Sequence, residues 1–189
     1  MKKLISLLLV LTMVAAMAAG CANEKPDTTE PQAQLPGSAL EILENTWAAF
    51  GENEMFFAMG GDYNNPVDNA PGAVDVTNSD YLTGVLLVPE TEVSKVTEAA
   101  SLMHGMMANN FTCGAFRVED AQAFAEAMHT AIANNPWICG MPESMLIVTF
   151  GDAYVVAAFG VNDAITPFQT HLTEAYPDAN IVYSEAITD

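Results

Sequence analysis

Apolar residues first recur at helical intervals just after residue 37. Over residues 38–50 they are spaced three and four apart, at Leu40, Leu43, Trp47 and Phe50. Ser38 and Glu41 have the spacing of a capping box, so the pattern predicts a first helix over residues 38–50. Residues 51–80 are interrupted by Gly, Asn and Pro, which predicts mostly loop with one short strand.

From residue 81 onward, apolar runs and helical patterns alternate. Residues 81–88 predict a strand, and residues 90–109 predict a helix that places Met103 and Met107 on its apolar face. Further strands are predicted over residues 111–118, 145–150, 154–159 and 179–187, with the middle two joined by a tight hairpin at Gly151 and Asp152. Helices are predicted over residues 119–134 and from a cap at Thr166 with Pro167 in the first position.

The element order from residue 111 is β-α-β-β-α-β. This order predicts the α+β class, as a two-layer α/β sandwich with a mixed or antiparallel sheet. It is also the order of a ferredoxin-like core, preceded here by an additional β-α unit. We expect residues 38–189 to form one domain.

The N-terminal residues have a different pattern. Lys2 and Lys3 precede an apolar or small-residue run over residues 4–19, the layout of a secretory signal. The run ends Ala18-Ala19-Gly20-Cys21, which resembles the lipobox of bacterial lipoproteins, although Leu is commoner at the position of Ala18. The resemblance implies a signal peptide over residues 1–20 and a lipidated Cys21, with two acyl chains that anchor the protein on the extracytoplasmic face of the cell membrane. Residues 22–37 are rich in Pro, Thr and Gln and predict a disordered tether.

Lipobox, tether and small α/β domain together resemble uncharacterised lipoproteins of Gram-positive bacteria. The segments that carry this resemblance are TCGAF at 112–116, NPWICG at 135–140 and VVAAFG at 155–160. The resemblance implies a membrane location and assigns no catalytic residue.

Charge narrows the possible partners. The 189 residues include 24 Asp and Glu against 5 Lys and Arg, which gives a net charge of −19, while 51% of residues are hydrophobic. We therefore expect a folded acidic domain that does not bind nucleic acid, because phosphate binding depends on Lys and Arg. Attachment to an anionic membrane through charge is excluded for the same reason, so the lipid must provide it.

Two cysteines remain once Cys21 is lipidated. Cys113 and Cys139 form an even pair in an exported domain, which is consistent with a disulfide. The alternative is two free thiols that pack as small apolar groups.

A second candidate site combines soft metal ligands. Met103, His104, Met107 and His129 could bind copper or zinc, although core packing also explains the methionines. The Asp- and Asn-rich stretch that begins at Asp62 lacks the EF-hand pattern, because Val67 and Ala73 stand where its Gly and Glu should be. Turn formation explains those residues without a cation.

Catalytic motifs are not evident in this sequence. A Cys–His hydrolase can be assembled from Cys113 or Cys139 with His104, His129 or His171, but no local pattern supports it. We therefore expect a binding or interaction domain without a cofactor, with an unidentified protein or small molecule as its partner. The alternative is a soft-metal or cation-binding lipoprotein. The binding surface is predicted in residues 52–80, together with Trp137, Pro136 and Met141.

Overall fold

A computed structural model describes residues 35–188, through which an eight-stranded antiparallel sheet runs. The predicted signal peptide, Cys21 and nearly all of the tether lie outside the described residues. The helices are α1 Ala39–Ala48, α2 Ser79–Gly84, α3 Glu90–Val93, α4 Ala121–Ala133 and α5 Asn162–Ala175. The strands are β1 Ala58–Asp62, β2 Asn65–Asp68, β3 Gly72–Val74, β4 Glu98–His104, β5 Phe111–Arg117, β6 Ser144–Phe150, β7 Tyr154–Gly160 and β8 Asn180–Ala186.

The strands follow the order β2-β1-β4-β5-β7-β6-β8. β3 also pairs with β4, in continuation of β1: Gly60 lies opposite Leu102 and Gly72 lies opposite Ser101. Every pair is antiparallel. The α+β class predicted from the sequence is confirmed.

Helices cover both faces of the sheet, so the molecule has three layers where the sequence predicted two. On the first face, α1 packs on β4 and β5, and α5 packs on β6 and β7. On the second face, α4 packs on β6 and β7, and residues of the short α2 join the same core. β5 and β7 are buried on both faces, except for Arg117 at the end of β5.

Strand order explains the third layer. The crossover β5-α4-β6 passes over β7, and the crossover β7-α5-β8 continues in the same direction over β6. β5 and β7 run in opposite directions, so two right-handed crossovers that move the same way must lie on opposite faces. In a ferredoxin-like arrangement, β8 would instead return beside β5, a place that β4 occupies here. The element order from residue 111 is therefore as predicted, while the strand order is not ferredoxin-like.

Residues 81–109 were wrongly predicted, because residues 81–88 are not a strand and residues 90–109 are not one helix. Asn78 caps α2 by accepting the backbone N–H of Tyr81 at 3.2 Å, and the helix α3 is only one turn long. Residues Glu98–His104 form β4, which pairs with strands on both sides. Its small residues favour a helix when considered alone, but tertiary pairing overrides that preference.

Two other boundaries differ from the prediction. Residues 51–80 contain three short strands, β1 to β3, instead of one. Helix α5 begins at Asn162, so Pro167 lies inside it. The Glu143 carboxylate accepts the Asn162 N–H at 2.7 Å, and Ala164 and Ile165 are buried, which favours this earlier start.

Candidate functional site

A large cleft opens on the second face, beside the part of β4 and β5 that no long helix covers there. It has a volume of about 680 Å³. Its walls come from β1 and the turn after it, from α2 and the segment that follows, and from the loop after α4. The residues that line it include Met59, Tyr63, Pro66, Tyr81, Leu87, Met103, Asn109, Thr112, Pro136, Trp137, Ile138 and Phe159.

Asp62 organises one wall of this cleft. Its side chain is buried and accepts three backbone N–H groups, from Asn64 at 2.8 Å, Asn65 at 3.1 Å and Asp75 at 2.8 Å. The bond from Asp75 contributes most to lowering the pKa of Asp62, and the bonds from Asn64 and Asn65 add to it, against the opposing effect of burial. The carboxylate therefore shapes the turn between β1 and β2.

Two tyrosines lie next to this turn. Tyr81 is buried, and its hydroxyl lies 3.3 Å from Ser101 Oγ, which in turn donates to the carbonyl of Gly61 at 2.7 Å. Burial raises the pKa of Tyr81, so the phenol is uncharged at neutral pH. Tyr63 is 75% exposed and meets Tyr81 edge-on, with ring centroids 5.0 Å apart. Together they form an aromatic wall in which the Tyr81 ring is buried and the Tyr63 ring is exposed.

Trp137 lies on the loop after α4 and forms another wall of the cleft. Its ring packs against Phe159, with centroids 5.0 Å apart, and its buried Nε1 has no hydrogen-bond partner within residues 35–188. The side-chain amide of Asn109 holds this loop by donating to the carbonyls of Ile138 and Gly140. The loop thus places the indole of Trp137 in the wall of the cleft.

Backbone strain occurs at the same cleft. Leu87 lines it with φ +58°, and Cys139, next to the lining residue Ile138, has φ +65°. The left-handed region is unfavourable for a branched side chain such as Leu. Strained residues of this kind concentrate at binding and catalytic sites.

Exposed apolar side chains are concentrated in the segments that contribute to the cleft. Apart from Leu35 and Ile181, all of the exposed large apolar side chains in residues 35–188 come from three segments that line or adjoin it, over residues 55–67, 106–107 and 138–141. We call this set the apolar rim: Met55, Phe57, Tyr63, Val67, Met106, Met107, Ile138 and Met141. The Gly105 N–H donates to the carbonyl of Phe57, and Asn109 binds the 138–140 backbone, so the three segments adjoin one another.

Charge around the cleft is negative. Asp62 is the only charged residue among the described residues that line it. Lys95 and Arg117, the only Lys and Arg in residues 35–188, lie elsewhere. Lys95 pairs with Glu92 at 2.8 Å, and Arg117 lies 5.7 Å from the ring centroid of Tyr154. The arrangement offers an anion no cationic side chain.

The two cysteines predicted as a pair lie in different environments, and both thiols are free. Cys113 is fully buried on β5, and burial raises the pKa of its thiol well above the ordinary value. Cys139 is exposed in the loop after α4. Cys113 is therefore a poor nucleophile, because the thiolate is the reactive form.

The residues predicted as metal ligands do not converge. His104 stacks on Phe56, which packs against the core of the first face. His129 stacks on Tyr183, on the second face, and its Nε2 lies 2.7 Å from Glu185. Met103 lines the cleft, whereas Met107 is exposed. Within residues 35–188 no cluster of three or more His, Cys, Asp or Glu side chains is arranged to hold a metal ion.

The binding surface predicted from the sequence is largely one place in the fold. Residues 59–63, Pro66, Pro136 and Trp137 line the same cleft, and Met141 belongs to its apolar rim. Sequence reasoning missed Leu87, Asn109 and Tyr81. Only the capping residue Asn78 gave a signal for the position of Tyr81, because Asn before a helix predicts its start.

The chain matches no protein-family model, no curated protein and no solved structure. None of the helices described over residues 35–188 has the length and apolarity needed to span a membrane.

Proposed function

We propose that this protein is a lipid-anchored, extracytoplasmic binding protein, and that its ligand site is the cleft between β1, α2 and the loop after α4. One observation carries the proposal: exposed and buried aromatic rings, among them Trp137, and a strained Leu87 all line one 680 Å³ cleft. A cleft of this size lined by apolar groups with a few polar atoms is typical of ligand sites.

The chemistry of the cleft favours binding over catalysis. Its one carboxylate, Asp62, already accepts three backbone N–H groups. Burial keeps the hydroxyl of Tyr81 uncharged at neutral pH by raising its pKa. The buried Cys113 is held as a thiol, and His129 and His171 are hydrogen-bonded to carboxylates. Aromatic stacking and apolar contact with the lining remain as the means of holding a ligand.

The lipid anchor is supported by the N-terminal sequence: two lysines, an apolar run and Cys21. Cells that express the full chain and are fed an alkyne-labelled palmitate test it. The label should enter the parent chain and the Cys139→Ala control, while Cys21→Ala should lose the label and accumulate as a larger, unprocessed precursor. Label that persists in Cys21→Ala would contradict the anchor.

Ligand binding in the cleft is tested with 4-nitrobenzyl alcohol, an uncharged aromatic molecule that quenches tryptophan emission on contact. Two variants of the full chain, in zwitterionic nanodiscs, separate the two tryptophans. In Trp47→Phe, only Trp137 emits and quenching should saturate as the cleft fills. In Trp137→Phe, the buried Trp47 should show no saturable quenching. Equal quenching of both tryptophans would contradict a binding cleft.

A further inference from the structure

We propose that the occupant of the cleft and the apolar rim is an extended segment of another protein, one that alternates basic residues with apolar side chains. This inference rests on the proposed function and adds the chemistry of the partner. It stands on two observations, the extent of the rim and the sign of the charge around it.

The rim is larger than a small ligand can cover. Met106 is 83% exposed, Ile138 78% and Tyr63 75%, and these residues lie at the mouth of the cleft or beside it. A molecule that fills 680 Å³ would leave most of this apolar surface in water. Concentrated exposed apolar surface on a soluble domain marks an interaction site, and Met supplies a surface that adapts to its partner.

Charge complementarity identifies the partner as basic. From residue 35 to residue 94 the chain contains no Lys or Arg. The same segment carries exposed acids that include Glu52, Asp68, Asp75 and Asp80, whereas Asp62 is buried and the Glu54 carboxylate is hydrogen-bonded to His171. An apolar rim with exposed carboxylates in the same segment favours a partner chain in which Lys or Arg alternates with Phe, Leu or Ile.

The same charge disfavours the two other occupants of an apolar surface. Insertion into an anionic membrane needs basic residues around the apolar side chains, and here they are acidic. A second copy of this chain carries the same net charge of −19, so the two surfaces repel each other.

Three seven-residue peptides, titrated against the full chain in zwitterionic nanodiscs by interferometry, test the proposal. One alternates Lys with Phe and Leu, one replaces each Lys with Glu, and one replaces each apolar residue with Ser. The Lys-apolar peptide should bind about tenfold or more tighter than either of the others, and its affinity should fall about fivefold between low and high salt. Equal binding of the Lys-Ser peptide would show simple attraction to an acidic protein and would overturn the proposal. Equal or tighter binding of the Glu-apolar peptide would also overturn it.

Matched variants locate the surface. Ile138→Ser and Met106→Ser should each weaken the Lys-apolar peptide about threefold or more, whereas Ile181→Ser, on the exposed strand β8, should leave it unchanged. All three residues are exposed, so the variants should keep the fold, which circular dichroism checks. Equal losses in all three would overturn the proposed location. Binding of the chain to anionic vesicles would indicate a membrane as the occupant, and dimerisation that depends on Ile138 would indicate a second copy. Either result would overturn the proposal of a basic peptide partner. Saturable quenching of Trp137 with no peptide binding would leave the cleft proposal standing and remove only this one.

Discussion

The two faces of the sheet are covered in different ways. On the first face, α1 and α5 lie side by side over β4 to β7, and the core residues beneath them are buried. On the second face, α4 alone is a long helix, and the region over β4 and β5 is left to two short helices and loops. The cleft, the apolar rim and the strained Leu87 all belong to this incompletely covered region.

The difference shows how one sheet can bury a helix-covered core on one face and keep a cleft on the other. Helix packing on the first face buries apolar surface efficiently, which stabilises the fold by about 25 cal/mol per Å² removed from water. The second face gives up part of that burial and leaves rings and methionines open to a ligand. Variants at matched positions on the two faces test this difference.

The largest expected effect is a core truncation on the first face. Phe168→Ala removes a fully buried ring that packs 5.2 Å from Phe111, and we expect a loss of about 3–5 kcal/mol in the free energy of unfolding. Phe159→Ala, beside the cleft on the second face, should cost at least about 1 kcal/mol less, because the truncated site opens into existing space. Urea unfolding of both variants measures the difference. Equal costs would mean that the second face is packed as tightly as the first.

Asp62→Ala tests the wall of the cleft, and its expected loss of stability is smaller than that of Phe168→Ala. It leaves three backbone N–H groups without their acceptor, which should cost on the order of 2–3 kcal/mol at neutral pH. Because the pKa of Asp62 is lowered from 3.8, the charge-dependent part of its contribution is complete above that value and is lost as the pH falls below it. The gap between parent and variant should therefore shrink in acid. The exposed Asp68→Ala is the control, and a gap that does not depend on pH would contradict this role.

The two tryptophans give a smaller contrast. Trp47, on the first face, donates its Nε1–H to the Asn69 carbonyl at 3.2 Å, whereas the Nε1 of Trp137 has no partner in the described part of the chain. Trp47→Phe should therefore destabilise by about 1–2 kcal/mol, and Trp137→Phe by less than about 1 kcal/mol. Thermal or urea unfolding measures both. A larger cost at Trp137 would show that its N–H is already satisfied in solution.

The smallest expected effect on stability concerns the thiols. Iodoacetamide should modify Cys139 in the folded chain and Cys113 only after unfolding, as peptide mass mapping would show site by site. Cys139→Ser should change stability by less than about 0.5 kcal/mol, since the residue is exposed. Protection of both thiols until a reductant is added would instead indicate a disulfide in the natural protein.

The fold could be predicted where local pattern and tertiary environment agree. Helix α4 and the strands from β5 to β8 follow their apolar periodicity, and α1 follows its Ser38 cap, whose Oγ accepts the Glu41 N–H at 3.0 Å. Residues 98–104 could not be predicted, because their small side chains at helical spacing form a strand only when β1, β3 and β5 pair with it. The start of α5 depends on Glu143, a contact across 19 residues.

The site could be predicted in part. Turn residues in 52–80 and an aromatic residue in an Asn-Pro loop indicated the two regions that meet at the cleft. Their meeting depends on strand order, which element order does not determine. Leu87 could not be found from the sequence, because nothing in a leucine's neighbours predicts a positive φ.

Strand β8 gives the sheet an open end, because within the described residues it pairs only with β6 and most of it is exposed. An unpaired strand edge is a template on which further chains can add. Mutual repulsion between acidic chains opposes such stacking at neutral pH, but it vanishes near the isoelectric point of about 4.1. Acidification toward that pH therefore removes the colloidal protection of this edge before it weakens the Asp62 turn, so association should proceed by strand addition at β8.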